Sequence, residues 1–258
     1  MCTLIVFHRV WRDQPLVVAT NRDEAYGRPS APPRWTGTSP RVLAPVDERA
    51  GGTWMGANEV GLWVGLTNRR SGTDDPRLRS RGLLCRELLD LDSAAEAAAM
   101  LESRTEPYNP FHVVVADEDR MILIENDAGG SAARRLAPGC HLVTNRPFDR
   151  TPEEPKARRV WRLLYRFGLW PVERDAPAPA DLEEKLRAIL ADHGESRDEA
   201  VCLHGTTGGT KSAAVWRVAP PETGAGPARI ALAFADGPPC VTPFVQHAAS
   251  VDGVGGPA

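Results

Sequence analysis

The chain has 258 residues, 42% of them hydrophobic and 25% charged, with a formal net charge of −3. That balance fits a globular polypeptide with a sizeable core and excludes the broad basic field that recruits nucleic acid or anionic lipid. No apolar run approaches the roughly 20 residues needed to cross a bilayer.

The chain opens on the strand-like run TLIVF, directly after Cys2. The run is too short for a secretory signal and leads straight into His8, Arg9 and Arg12. The turn-like WRDQP joins it to a second run, PLVVAT, which ends in the polar stretch Asn21-Arg22-Asp23-Glu24. RVLAPVD, GTWMGAN and GLWVGLTN read as further strands, broken by glycine pairs and the turn NEVG. Two helices follow, RGLLCRELLDL and SAAEAAAMLES, the second with Ser93 and Glu96 at the spacing of a capping box. Strands return at PFHVVVAD, MILIEN and GCHLVTN.

A second helical pair comes next. KARRVWRLLYRF places Val160, Leu163, Leu164 and Phe167 on one face, and DLEEKLRAIL does the same with Leu182, Leu186, Ile189 and Leu190. SAAVWRV and RIALAFA close the pattern. Two strand blocks, each followed by helices, predict an α+β chain: a four-layer α/β/β/α sandwich of two antiparallel sheets. A single domain over residues 1–248 is expected, followed by a flexible tail at 249–258.

Cys2 is the first candidate for chemistry. If the initiator methionine is removed, its thiol and a free α-amine share one carbon. An α-amine with a reference pKa of roughly 7.7–8.0 is partly unprotonated at neutral pH and can serve as general base. The plainer reading is a small apolar residue at a strand start. Asn21 to Glu24 close the hairpin that begins at Cys2, so Asp23 can hold the amine and Arg22 can favour the thiolate; otherwise they form a solvated turn. Asn68 and Asn145 both end strands, where their amides suit an oxyanion hole or a local turn. The five cysteines are odd in number, widely spaced and lack a CxxC pair, which argues for a reducing, cytoplasmic setting. The six histidines show no metal-binding spacing, so no metal site is expected. His112 and His141 read as core residues, and Trp54 and Trp63 as core or pocket lining.

MCTLIVF, ATNRDEAYGRP, GGTWMGANEVGLWVGLTN and GTKSAAVW occur here in the order of the landmarks of the NRDE family, which includes the transport-and-Golgi-organisation type proteins. The chain resembles that family from Cys2 to about Ala235, which implies an N-terminal-nucleophile hydrolase fold. It is more distantly similar to penicillin V acylases and bile salt hydrolases. That similarity implies Cys2 as nucleophile and base, Asp23 on the amine, and Asn68 and Asn145 at the oxyanion. Asn21, Arg22, Glu24 and Trp54 would be supporting residues. Two positions depart from the amidase pattern. Thr20 stands where those enzymes have an arginine, with Arg22 expected on the opposite face of the strand. Lys211 replaces another arginine, on a strand expected to run beside that of Cys2, where its ammonium would favour the thiolate or else be a solvated charge.

The resemblance therefore implies a hydrolase or acyltransferase acting on a non-peptide amide of a small molecule, with no cofactor. The alternative is a carrier of haem or an acyl-CoA-type metabolite, for which a single His or Cys ligand would leave no motif. A scaffold that has lost its chemistry and binds a partner is a third possibility. Neither a nucleic-acid partner nor a transmembrane segment is expected, and nothing in the sequence fixes the oligomeric state.

Overall fold

Side-chain alternation along the first strand separates the layers. The computed structural model describes residues 2–69, 74–127, 130–148, 153–222 and 226–248; the tail expected at 249–258 lies outside them. In β1 (Thr3–His8), Leu4 and Val6 face one core while Ile5 and Phe7 face another. β2 (Leu16–Ala25) pairs with it antiparallel, Thr3 opposite Asn21 and His8 opposite Leu16, so Leu16 and Val18 share the face of Leu4. This is the hairpin expected from WRDQP.

The remaining strands are β3 (Ser30–Thr36), β4 (Val42–Asp47), β5 (Met55–Asn58), β6 (Trp63–Asn68), β7 (Phe111–Ala116), β8 (Met121–Asp127), β9 (Gly130–Leu136), β10 (Gly139–Val143), β11 (Gly208–Ala219), β12 (Arg229–Ala235) and β13 (Val245–Ala248). They form one sheet in the order β10-β1-β2-β11-β12-β13 and a second running β3 to β9 in sequence. β3, β9 and β13 were not anticipated. All three are sheet edges, where one flank is unpaired and the burial pattern that marks a strand is weak. β3 also carries Pro32 and Pro33, tolerated only where a missing N–H costs no ladder bond.

The helices cover the outer faces. α1 (Arg81–Leu88) and α2 (Ala94–Ser103) bury Leu84, Leu88, Ala97 and Leu101 against Val64, Val113 and Ile124 of the second sheet. Ser93 caps α2 through the Glu96 N–H at 3.2 Å, while the Glu96 carboxylate accepts from the Asp92 N–H rather than that of Ser93, one residue off the expected box. α3 (Pro155–Arg166) and α4 (Leu182–Leu190) place Val160, Leu163, Leu164, Leu186 and Ile189 against Ile5, Phe7 and Val215 of the first sheet. Between the sheets lies the third core, which includes Trp63, Trp216 and Phe234. The order is helix, sheet, sheet, helix, as expected.

β11 does not run beside β1. It pairs with β2 and β12, so β2 separates it from the strand that follows Cys2. The ladder opposes Thr210 to Asp23 and Ser212 to Arg22, leaving Lys211 as the extra residue of a bulge. No helix among the described residues is long and apolar enough to cross a membrane.

Candidate active site

A cavity of about 430 Å³ is lined by Cys2, Arg22, Glu24, Trp54, Leu66 and Asn68 and walled further by the segment 74–82, which leads into α1. Cys2 precedes β1 on the side of Leu4, so its thiol belongs to the inter-sheet face. The Sγ lies 4.0 Å from the Asp23 carbonyl oxygen. Burial pushes the thiol above the ordinary cysteine value and the Asp23 charge adds to the rise, with the guanidinium of Arg22 the weakest of the groups that oppose it.

Arg22 lies in this cavity, contrary to the expectation that it faces away. Thr20 and Arg22 are two residues apart on β2 and therefore share a face. The guanidinium stacks over Trp54 with its carbon 4.0 Å from the ring centroid, and Nη2 is 3.8 Å from the Glu24 carboxylate. Nη1 is buried and meets no partner among the described residues. Burial lowers the pKa of Arg22 from its usual value, countered by Glu24 and by Cys2 itself. A desolvated cation with a spare donor, on a side chain that lines the cavity together with Cys2, is suited to hold a thiolate or a substrate anion.

Asn21 and Asp23 point the other way, toward the helices. The Asn21 amide donates to the carbonyls of Leu190 at 2.8 Å and Val201 at 2.9 Å, tying β2 to the end of α4. Asp23 is held by two groups invisible to a motif search. The Thr210 hydroxyl donates to one carboxylate oxygen at 2.6 Å, and the ammonium of Lys156, on α3, lies 3.3 Å from the other. Both members of this ion pair are buried, their side chains 0% and 2% exposed.

Asn68 ends β6 and belongs to the cavity lining, alternating with Val64 and Leu66 onto the face of β6 that packs toward α1 and α2. Asn145 does not line it. Its amide donates to the Asn68 main-chain carbonyl, so it fixes the strand end that carries Asn68. Trp54 forms part of the cavity lining, whereas Trp63 is fully buried core. Lys211 is not brought to the site. The bulge turns its ammonium onto the carbonyls of Tyr26 at 3.0 Å and Arg28 at 2.6 Å, in a separate depression with Ser30, Glu48 and Asp236.

The wider lining is strongly polar. Five arginines (Arg22, Arg28, Arg49, Arg79, Arg81) and four carboxylates (Glu24, Asp47, Asp74, Asp75) line the cavity, and Asp23 borders it with its carboxylate turned to Lys156 and Thr210. Several are mutually engaged: Arg28 with Asp47 and Arg81 with Asp74, each at 2.5 Å.

Two antiparallel sheets between helical layers, with a cysteine at the head of a central strand, define the N-terminal-nucleophile hydrolase fold. Solved structures with this fold include penicillin V acylase from Agrobacterium tumefaciens, with a TM-score of 0.57, 12% identity and 93% of both chains covered. A conjugated bile acid hydrolase from Clostridium perfringens gives a TM-score of 0.58 and 13% identity over 99% of this chain and 100% of that one. At those identities the likeness is one of fold. The chain belongs to the Transport and Golgi organisation 2 family, whose model matches residues 1–207. The Bos taurus homologue of that family is 31% identical over 205 residues, which cover 74% of this chain and 70% of the relative.

Proposed function

We propose that this protein is a cysteine amidohydrolase or acyltransferase acting on a linear amide of a small, polar molecule, with Cys2 as nucleophile. The observation that carries the reading is the shared cavity of Cys2 and Arg22, a thiol and a buried guanidinium on adjacent strands of one sheet, with the strand-terminal Asn68 in the same lining. About 430 Å³ is room for a small-molecule ligand.

Removal of Met1 leaves the Cys2 α-amine free. The amine takes the thiol proton, and the thiolate, favoured by Arg22, attacks the amide carbonyl carbon. Asn68 supplies an amide N–H to the developing oxyanion. The ammonium then returns the proton to the departing nitrogen as the C–N bond breaks, leaving a thioester on Cys2. Water, or an acceptor amine in a transferase, attacks the thioester with the α-amine again as base. Asp23, fixed by Thr210 and Lys156, anchors the strand segment beside the amine. The haem-carrier alternative fits less well. Cys2 could serve as an iron ligand, but an apolar porphyrin face in this cavity would meet charged side chains.

The test is intact-mass analysis of purified protein before and after incubation with a panel of N-acyl amino acids and N-acyl anilides. The expected result is a chain lacking Met1 that gains one acyl group on Cys2, with no gain in a Cys2→Ala variant. Full retention of Met1, or acylation that persists in Cys2→Ala, sinks the proposal.

A further inference from the structure

Outside the cavity, four residues that no sequence spacing connects come together. His193 follows α4, Cys202 and His204 flank Leu203, and Cys240 sits in the turn after β12. Their ligand atoms all lie within 4.8 Å of one another. The Nε2 atoms of the two histidines are 3.3 Å apart and the two sulfurs 3.6 Å apart. His204 Nε2 is 3.3 Å from Cys240 Sγ and 3.7 Å from Cys202 Sγ. A zinc ion with Zn–S near 2.3 Å and Zn–N near 2.0–2.1 Å places the corners of its tetrahedron roughly 3.3–3.8 Å apart. Four of the six ligand–ligand distances therefore already match the edges of such a tetrahedron, and the two from His193 to the sulfurs lie within 4.8 Å.

We propose that His193, Cys202, His204 and Cys240 bind one Zn2+ ion in a structural site. Two thiolates and two imidazoles in tetrahedral array select zinc over hard cations and over square-planar copper. Both thiols release their protons to solvent as the Zn–S bonds form, and each histidine binds through a neutral Nε2. Cys202 is buried while both histidines are exposed, which gives the ion a path in from solvent.

The site ties three chain segments together where they support the cavity. Leu203, between two of the ligands, donates its N–H to the Thr210 hydroxyl and accepts from the Thr210 N–H, both at 2.8 Å. The same hydroxyl donates to Asp23. The Cys202 N–H donates to the Asp192 carbonyl at 2.8 Å, and the Val201 carbonyl accepts from Asn21. The ion is thus a positioning element for Thr210, Asp23 and Asn21. The proposal for the metal itself does not depend on Cys2 being catalytic.

The full chain, purified under reductant and stripped with a chelator, is titrated with Zn2+ against a chromophoric competitor, and separately with Co2+. The expected result is one tight equivalent of zinc. Co2+ should give the intense visible bands of a tetrahedral ion together with thiolate-to-cobalt charge transfer. Cys240→Ser should lower zinc affinity by about tenfold or more and weaken the charge-transfer band, whereas Cys85→Ser, in another core, should change neither. A weak octahedral cobalt spectrum in the unmodified chain would overturn the proposal without recourse to variants. So would zinc affinity indifferent to Cys240→Ser, or a Cys202–Cys240 disulfide in the reduced preparation in place of metal.

Discussion

Replacing Lys156 by methionine removes an ammonium from a site with no solvent exposure and leaves the Asp23 carboxylate, 3.3 Å away, behind it. At that separation the attraction is about 5 kcal/mol for an effective dielectric near 20. Removing one partner of a buried pair typically costs about 3–5 kcal/mol, because the charge that remains is poorly solvated. The Thr210 hydroxyl still donates to Asp23, which places the expected loss toward the lower end, about 3 kcal/mol. For a chain of this length that corresponds to a fall in Tm of at least about 6 °C. Denaturant unfolding and calorimetry measure it. A cycle with Asp23→Asn separates the pair from loss of helix packing: the double variant should be more stable than the sum of the single losses predicts. Destabilisation below about 1 kcal/mol, with additive singles, would show that the pair contributes little and that Asp23 is held by other means.

Arg22→Met should slow alkylation of Cys2 by iodoacetamide and shift its pH dependence upward, while Arg22→Lys should restore part of the rate; identical profiles for all three proteins would remove Arg22 from the thiol. Lys211→Ala should leave Cys2 alkylation unchanged, because its ammonium is bonded to the carbonyls of Tyr26 and Arg28; a slowed reaction would return it to the site. Burial lowers the pKa of His8 below 6.5 in the folded chain, and its Nδ1 meets no partner among the described residues. The unfolded chain therefore takes up the proton first as pH falls. Stability is full above the unfolded value and declines as pH drops through 6.5 toward the folded value. The denaturant midpoint should fall between pH 7.5 and 5.5, and less so in His8→Phe; an equal fall in both would assign the acid sensitivity to other groups.

Local motifs carried the parts of the site that local sequence can encode. Cys2, the Asn21–Glu24 stretch and Asn68 all sit at strand ends, where alternation and turn chemistry are readable. What fixes Asp23 was not readable, since Lys156 and Thr210 arrive from 133 and 187 residues away. Thr210 and Lys156 stood in plain view as ordinary residues of a strand and a helix. The four candidate metal ligands were illegible for the same reason. Their spacings of nine, two and thirty-six follow no knuckle or finger pattern, and only the meeting of three loops defines them. Lys211 misled because a one-residue bulge is invisible to strand periodicity yet redirects a side chain. The helices and central strands were legible because each is buried against a core on at least one face, as was the edge strand β10, whose Leu142 and Val143 are buried, whereas the edge strands β3, β9 and β13 were not.

The cavity takes its lining from both sheets, Cys2 and Arg22 from one and Leu66 and Asn68 from the other. The distance between the Cys2 thiol and Asn68 is therefore set like the opening of a caliper, by whatever holds the two sheets apart. Trp216 of one sheet donates its indole N–H to the sulfur of Met55 in the other at 3.3 Å, immediately beside Trp54. Because packed interiors transmit changes of a single methylene, a substitution at Trp216 resets that opening from inside the core. Relatives built on this frame can thus change the width of the cavity through residues that do not line it.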